Sequence, residues 1–204
     1  MELGEFRATL DAWLDEHADE LAPDSHGSLG AEMEQLAKVQ RLTYDAGFMR
    51  RGWPEAVGGL GGSSLMRGYL GEALVARDLV EAGIYSMTEV LVPTMIDFAS
   101  PELATAMVPR KLRGDEVWCQ GFSEPGTGSN LASLTCRATR TDEGWLVSGQ
   151  KVWTSLAQFA QRCVLLTRTG TPESAHRGIT AMFVDMDTPG ITVRPIETMH
   201  QKEE

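Results

Sequence analysis

The sequence predicts an α+β fold, with an all-helical amino-terminal domain over residues 1–114 and an antiparallel β-barrel or sandwich domain over residues 115–204. Two patterns lead to this prediction. Apolar residues recur at the spacing of a helical face through the first half of the chain, whereas from Glu116 onward they alternate with polar residues. Short apolar runs in the second half are also separated by turn-forming clusters, which is typical of antiparallel sheets.

Helical periodicity defines five predicted helices in the first domain. Pro23 ends the first of them and Gly114 ends the last. Ser63 or Ser64 is expected to cap the third helix, and Pro93 is expected to kink or interrupt the fourth. The predicted bounds are residues 3–21, 31–46, 63–82, 84–98 and 101–113.

Alternation predicts the strands of the second domain. Leu134, Cys136 and Ala138 alternate with polar residues, as in a strand with one buried face. Residues 141–144 have hairpin-turn chemistry, so residues 145–147 are expected to return beside that strand. Further strands are predicted at residues 163–167, 179–185 and 191–196.

Composition argues against several classes of function. The 204-residue chain carries 18 basic and 29 acidic residues, and its net charge of −11 argues against nucleic-acid binding, which depends on neutralising phosphates. Residues 1–20 are acid-rich with one arginine and no lysine, unlike a secretory signal or a transit peptide. No apolar run is long enough to span a bilayer, so a soluble, cytoplasmic protein is expected. The three cysteines and four histidines show no metal-ligand spacing, and neither a metal site nor a disulfide framework is predicted.

The stretch from residue 118 to residue 155 holds the candidate ligand site. Gly126 and Gly128 allow backbone conformations in which consecutive N–H groups converge on phosphate oxygens. Hydroxyl side chains flank both glycines and add uncharged donors and acceptors. Further along, the indole of Trp153 is followed by two hydroxyl-bearing residues, a combination that suits a flat heteroaromatic ligand.

Three motifs follow one another along the chain. They read Gly-Trp-Pro-Glu-Ala-Val-Gly-Gly-Leu-Gly-Gly-Ser at 52–63, Phe-Ser-Glu-Pro-Gly-Thr-Gly-Ser-Asn at 122–130 and Gly-Gln-Lys-Val-Trp-Thr-Ser at 149–155. In order and spacing they resemble the acyl-CoA dehydrogenase family. The resemblance implies that residues 1–114 are the family's amino-terminal helical domain and that residues 115–204 are most of its flavin-binding middle β domain, truncated at the carboxyl end. The family's carboxy-terminal helical bundle has no counterpart in these residues.

The same resemblance implies the chemistry. It implies FAD as cofactor and α,β-dehydrogenation of an acyl-CoA thioester, in which the β hydrogen leaves as hydride to flavin N5. It also implies an electron-transfer flavoprotein as acceptor and an oligomer, usually a tetramer. The flavin-binding residues carried over by position are Gln120, Phe122, Ser123, Gly128, Ser129, Trp153, Thr154 and Ser155, and Ser129 is also carried over as a contact to the acyl-CoA substrate.

The catalytic base is not assigned to any residue of the chain. In the family this carboxylate belongs to the portion that is not represented here. Glu124 is acidic and close to the motif, but a Glu before Pro-Gly is expected to shape the loop rather than to take a proton. Asn130 stands where the family usually has Asp, which removes a charge beside the phosphates.

Two alternatives stay open at the level of sequence. One is a non-catalytic or half-site subunit of a hetero-oligomeric acyl-CoA dehydrogenase, whose base lies on a partner chain. The other is a flavin oxidase or monooxygenase of similar fold. The length and branching of the acyl chain are not predicted.

Overall fold

The computed structural model describes residues 1–23 and 27–197 of the chain. The chain forms two compact units, Met1–Glu116 and Val117–Glu204, called here the helical unit and the β unit. Expectations that concern His26, His200 and the truncated end at residues 198–204 lie outside the described residues. Within those residues, no helix combines the length and the apolar character that a membrane crossing needs. Across the same part of the chain, no three His, Cys, Asp or Glu side chains gather as ligands for a metal ion.

The helical unit contains the predicted helices, with two differences. The first predicted helix is divided at His17, which leaves the helical conformation (φ −103°, ψ 17°). The third ends at Val75 rather than near residue 82, and Asp78 has a left-handed backbone conformation (φ 54°) that a helix cannot continue through. Within the described residues the helices are α1 (Leu3–Glu16), α2 (Ala18–Leu21), α3 (Leu29–Asp45), α4 (Ser64–Val75), α5 (Ala82–Phe98) and α6 (Pro101–Arg113).

Local sequence explains where these helices begin and end. The hydroxyl of Ser63 accepts a hydrogen bond from the Leu65 N–H, so it is Ser63 that caps α4. Gly114 ends α6 in the left-handed conformation (φ 79°). Pro93 does not interrupt α5, which continues to Phe98. A proline removes one backbone hydrogen bond, and here the buried face of α5 packs on both sides of it, at Leu91, Val92 and Met95.

Backbone hydrogen bonds within the glycine-rich loop at residues 52–63 join its beginning to its end. The Gly52 N–H donates to the Gly61 carbonyl (2.8 Å), and the Gly61 N–H donates to the Trp53 carbonyl (3.0 Å). A Cβ at Gly59 would lie 2.2 Å from the Trp53 carbonyl oxygen, so only glycine fits there. The indole of Trp53 is buried below this loop, and the guanidinium of Arg67 lies 3.8 Å from its ring centroid.

The β unit is built on a five-stranded sheet. Its strands are β1 (Trp118–Gly121), β2 (Arg137–Thr141), β3 (Gly144–Ser148), β4 (Arg162–Arg168) and β5 (Ile179–Asp185). Strand β4 pairs with β5 antiparallel along its whole length. Its other edge therefore serves two partners, β1 over its first four residues and β2 at the single pair Arg137↔Arg168, both parallel. Strands β2 and β3 form the predicted hairpin.

The α+β class is confirmed, but the prediction of an antiparallel barrel or sandwich is wrong in part. Among the described residues the sheet is mixed and does not close. Alternation in sequence reports which faces of a strand are buried and carries no information about its direction relative to a partner. The connection from β1 to β4 spans 40 residues, which leaves room for the crossover that a parallel pair needs.

Two strand predictions differ in extent. Leu134, Cys136 and Ala138 are buried in alternation as predicted, but regular strand pairing begins only at Arg137. Residues 191–196 form no strand, and Ile191 and Val193 are exposed. No strand within residues 27–197 pairs with them, so their backbone groups lack the partner that strand structure requires.

The three cysteines are free and buried in the β unit. Cys119 and Cys163 stand opposite each other in β1 and β4 and form a small apolar cluster with Ala160. Hydrogen bonding to Cys163 and burial raise the pKa of the Cys119 thiol above its ordinary value. These thiols therefore serve as core residues.

Candidate functional site

The first half of the candidate site is a tight turn that follows β1. Glu124 and Thr127 exchange two backbone hydrogen bonds, of 2.7 and 3.0 Å, around Pro125 and Gly126. Neither Gly126 nor Gly128 has a positive φ, so the expectation that these glycines supply unusual backbone angles is wrong. Their contribution is space, because a Cβ built on either residue meets no atom within 4 Å. A ligand can therefore approach the backbone of this turn closely.

The second half of the site, residues 149–155, lies directly beside the first. The Val152 N–H donates a 3.0 Å hydrogen bond to the Ser123 carbonyl. The Lys151 ammonium donates to the Phe122 carbonyl at 3.0 Å. These two bonds join the candidate residues Phe122 and Ser123 to the segment that carries Trp153, and Gln120 lies just before them at the end of β1.

Trp153 is presented to solvent by an unusual backbone. Its φ is 59°, in the left-handed region that few residues with side chains adopt. Leu156 has a φ of 68° and is buried, whereas the indole of Trp153 is 64% exposed. The segment thus anchors itself through Leu156 and leaves a large aromatic surface free for a ligand.

Thr154 gives a second indication that a polar partner is missing from this site. Its Oγ1 is buried and has no hydrogen-bond partner among the residues that the structure describes. Buried hydroxyls are nearly always paired, so an orphan next to an exposed indole indicates a missing polar group. Ser155, the next residue, is exposed.

Gly128 and Ser129 lie on the far side of the tight turn and are both exposed. Within the described part of the chain, no hydrogen bond joins either of them to residues 149–155. The structure therefore brings together six of the eight candidate residues in two adjoining segments, and it places these two at the edge of the site.

An ion pair that the sequence did not reveal lies beneath the site. Glu124 and Lys151 meet at 2.9 Å, with only 4% and 8% of their side chains exposed. The Glu124 carboxylate also accepts hydrogen bonds from the Thr135 N–H (2.7 Å), the Thr135 hydroxyl (2.7 Å) and the Cys136 N–H (2.8 Å). A buried carboxylate requires such partners, but neither Glu124 nor Lys151 could be matched to the other from sequence, because 27 residues separate them.

These contacts decide what Glu124 can do chemically. Burial alone would raise its pKa, but the hydrogen bonds from Thr135, Lys151 and Cys136 outweigh burial and lower the pKa of Glu124 to about 2. A carboxylate that is this weakly basic and fully occupied by donors is a poor general base. Its structural role in the loop follows from the same contacts.

A cleft of about 440 Å³ adjoins Ser129 in sequence and begins at Asn130. Its lining residues include Arg137 and Arg168 as well as Ser133 and Thr135, and none of them is acidic. Buried Arg168 donates to three backbone carbonyls, those of Ala132, Leu134 and Ala175. The cleft is therefore a rigid, positively charged and hydroxyl-bearing surface.

Family models match both units of the chain. The one described as the N-terminal domain of acyl-CoA dehydrogenase matches residues 2–115, and the one described as the middle domain of acyl-CoA dehydrogenase matches residues 119–202.

Two relatives from Mycobacterium tuberculosis show how much of a longer protein the chain represents. Acyl-CoA dehydrogenase IpdE1 is 39% identical over 94% of this chain and 51% of its own length. Acyl-CoA dehydrogenase FadE34 is 43% identical over 81% of this chain and 23% of its own length. The chain thus spans about half or less of the length of these relatives.

Solved structures give the same picture. A chain of the ChsE4–ChsE5 complex from Mycobacterium tuberculosis matches with a TM-score of 0.79 and 28% identity, over 98% of this chain and 51% of that one. A chain of the Tcur3481–Tcur3483 steroid ACAD matches with a TM-score of 0.76 and 29% identity, over 97% of this chain and 51% of that one. Each match extends over both units of this chain and about half of the matched chain.

Proposed function

Because the chain belongs to the acyl-CoA dehydrogenase family, we propose that its β unit binds FAD and that it takes part in the α,β-dehydrogenation of an acyl-CoA thioester. The observation that carries this proposal is the exposed side chain of Trp153, in a segment that is joined to Ser123 by the hydrogen bond from the Val152 N–H. An aromatic plane next to short polar groups suits an isoalloxazine ring, which needs stacking and edge hydrogen bonds together.

The residues present fit FAD. The unpaired hydroxyl of Thr154 offers a hydrogen bond that nothing else in the described residues takes up, and the open space at Gly126 and Gly128 admits a diphosphate close to the backbone. We assign the flavin to Gln120, Phe122, Ser123, Trp153, Thr154 and Ser155, and the diphosphate to Gly128 and Ser129. When bound, FAD supplies the hydride acceptor for the β hydrogen of the substrate.

The substrate side of the site begins at Ser129. Ser129, which is exposed, is assigned to the thioester as well as to the cofactor, and Arg137 and the hydroxyl-bearing residues of the adjoining cleft are assigned to the phosphates of coenzyme A. Similarity to a steroid ACAD makes a bulky, steroid-bearing acyl thioester the first substrate to test.

The base that takes the α proton comes from outside residues 1–204 in this proposal. Glu124 lies nearest to the candidate flavin residues, and its low pKa and four hydrogen-bond donors disqualify it. The chain then acts as one part of an oligomer, usually a tetramer, with electron-transfer flavoprotein as acceptor. A half-site subunit of a hetero-oligomer is a specific version of this idea, supported by similarity to chains of the two-component ChsE4–ChsE5 and Tcur3481–Tcur3483 assemblies.

Two measurements test the proposal. Titration of the 204-residue chain with FAD should give saturable quenching of flavin fluorescence, and absence of quenching would refute flavin binding by this chain. Anaerobic addition of an acyl-CoA to the FAD-loaded chain should leave the flavin oxidised until a partner subunit is added. Bleaching by the chain alone would refute the external base, and rapid reoxidation by oxygen after bleaching would favour a flavin oxidase over a dehydrogenase.

A further inference from the structure

Three separate stretches of the β unit carry all eight candidate flavin residues. The first is β1 with the residues that follow it, 118–123; the second is the exposed pair Gly128–Ser129 after the tight turn; the third is the segment 149–155. Strand pairing does not join the third stretch to the other two, because residues 149–161 form no strand. Some other interaction must therefore hold the three in register.

Glu124 and Lys151 link the first stretch to the third, and Glu124 also contacts residues on either side of the second. Lys151 belongs to the third stretch and donates to the Phe122 carbonyl in the first, at 3.0 Å. Glu124 follows the first stretch, closes the tight turn with Thr127, and receives Lys151 at 2.9 Å. Its carboxylate also binds the backbone N–H groups of Thr135 and Cys136, which lie beyond the second stretch and lead into β2.

We propose that the Glu124–Lys151 ion pair is a positioning pair that sets the distance between the flavin-edge residues Phe122 and Ser123 and the indole of Trp153. The inference rests on the proposed function, since it concerns the geometry of a flavin site. Neither side chain touches the flavin in this arrangement. The pair acts through three features. Lys151 binds the Phe122 carbonyl, and the hydrogen bond from Val152 to Ser123 joins the residues next to Lys151 and Glu124. The turn that Glu124 closes leads to Gly128.

The burial of the pair makes it a sensitive element. With both side chains almost fully buried, loss of one charge leaves the other unpaired in a poorly solvated place, which costs far more than loss of an exposed pair. Glu124→Gln also places an amide N–H₂ among groups that are all donors. The segment 149–155 is expected to move away from residues 122–124 in that variant, because all three direct links between them involve Lys151 or its neighbour Val152.

The test compares Glu124→Gln, Lys151→Met and Lys151→Arg in the 204-residue chain. Arg113→Met is the matched control, because it breaks a two-bond ion pair with Asp45 in the helical unit. The first two variants should weaken FAD binding about ten-fold or more and shift the visible absorption band of the bound flavin, since a misplaced ring loses stacking and edge contacts. Lys151→Arg keeps the charge and should stay close to the parent, and Arg113→Met should leave flavin affinity and spectrum unchanged.

Hydrogen exchange of the flavin-free chain provides a readout that does not depend on FAD. A positioning pair predicts that Glu124→Gln accelerates exchange at the Val152 amide as well as at Thr135 and Cys136, and that Lys151→Met does the same. Acceleration confined to Thr135 and Cys136 would show a purely local role and would overturn the inference, as would FAD affinity and spectrum equal to those of the parent. If the parent itself binds no FAD, the proposed function fails, and exchange at Val152 still decides whether the pair links the segments. If the Glu124→Gln variant does not fold, the comparison of Lys151→Met with Lys151→Arg decides the question.

Discussion

Trp153 shows at the scale of one residue how a local cost indicates a function. A left-handed backbone conformation in a residue with a large side chain costs free energy, and an exposed indole forgoes the gain from burial. Leu156, with the same kind of backbone three residues later, at least buries its side chain. The strained backbone at Trp153 is explained if a bound aromatic ring stacks on its exposed indole.

Trp153→Ala should weaken FAD binding about ten-fold, because it removes the stacking surface, and should leave the stability of the flavin-free chain nearly unchanged. Fluorescence titration with FAD and urea unfolding measure the two quantities. Trp145→Ala is the matched control, since Trp145 is also exposed (46%) but lies on β3. Equal FAD affinities for the two variants would show that the ring does not lie on Trp153.

Glu124 sets an acid limit on the stability of the β unit. Its pKa is lowered from 4.5 to about 2, so its stabilising contribution is fully present above pH 4.5 and is lost as the pH falls toward 2. The shift corresponds to about 3 kcal/mol at neutral pH. Urea unfolding of the parent between pH 5 and pH 2, followed by circular dichroism, should show this loss.

Glu124→Gln should unfold at lower urea concentration than the parent at pH 6, and the gap between the two should narrow as the pH approaches 2. Parallel pH profiles for parent and variant would mean that Glu124 is not ionised against these partners in the folded chain.

At the scale of elements, the 52–63 loop and α4 offer two glycines with opposite requirements. Gly59 faces the carbonyl group of Trp53, which is backbone and cannot move aside, so Gly59→Ala should destabilise the helical unit by about 2–4 kcal/mol. Gly68 lies inside α4 with open space around it, so Gly68→Ala should stabilise the unit by about 0.5–1 kcal/mol. Urea unfolding at pH 7 measures the stability of both variants. A Gly59→Ala variant as stable as the parent would contradict the close approach seen in the loop.

Helix α6 buries a lysine in its contact with α3 and α5. Lys111 is 2% exposed, and burial lowers its pKa from 10.5 to about 8. This lowered pKa means that the buried ammonium group destabilises the folded state. Because the folded state binds the lysine proton less tightly than the unfolded state, stability rises as the pH increases from 8 to 10.5. Lys111→Met should therefore stabilise the helical unit by about 1–3 kcal/mol at pH 7 and abolish the rise above pH 8. Thermal unfolding across this pH range checks both effects, and an unchanged profile in the variant would assign the rise to another group.

At the scale of the whole molecule, the β unit has an open sheet whose edge strand β3 exposes Trp145, Leu146 and Val147. The chain covers about half or less of the length of its compared relatives, and its own acidic residue nearest the candidate flavin residues is committed to structure. The family models place the chain in the acyl-CoA dehydrogenase family, and its participation in a larger catalytic assembly remains part of the proposed function.

How much of the molecule could be predicted depends on how local each feature is. The helices, the Ser63 and Gly114 boundaries and the β2–β3 hairpin follow from interactions within a few residues, so periodicity and capping rules located them. Residues 191–196 show the alternation that predicts a strand. A strand also needs a hydrogen-bonded partner, and periodicity says nothing about whether one is available, so the prediction was wrong. Pro93 failed as a helix breaker because packing of α5 outweighs one lost hydrogen bond.

The candidate site divides in the same way. The motifs alone predicted Phe122, Ser123 and the Trp153 segment as site residues, because a close approach of backbone to a ligand and an aromatic platform leave local signatures in residue type. Only the tertiary structure decided that β1 and β4 run parallel, that Glu124 meets Lys151, and that the Trp153 indole points into solvent. The first two of these features join segments 27 or more residues apart, and residue patterns along a chain record the burial of each segment but not which distant segment will pack against it.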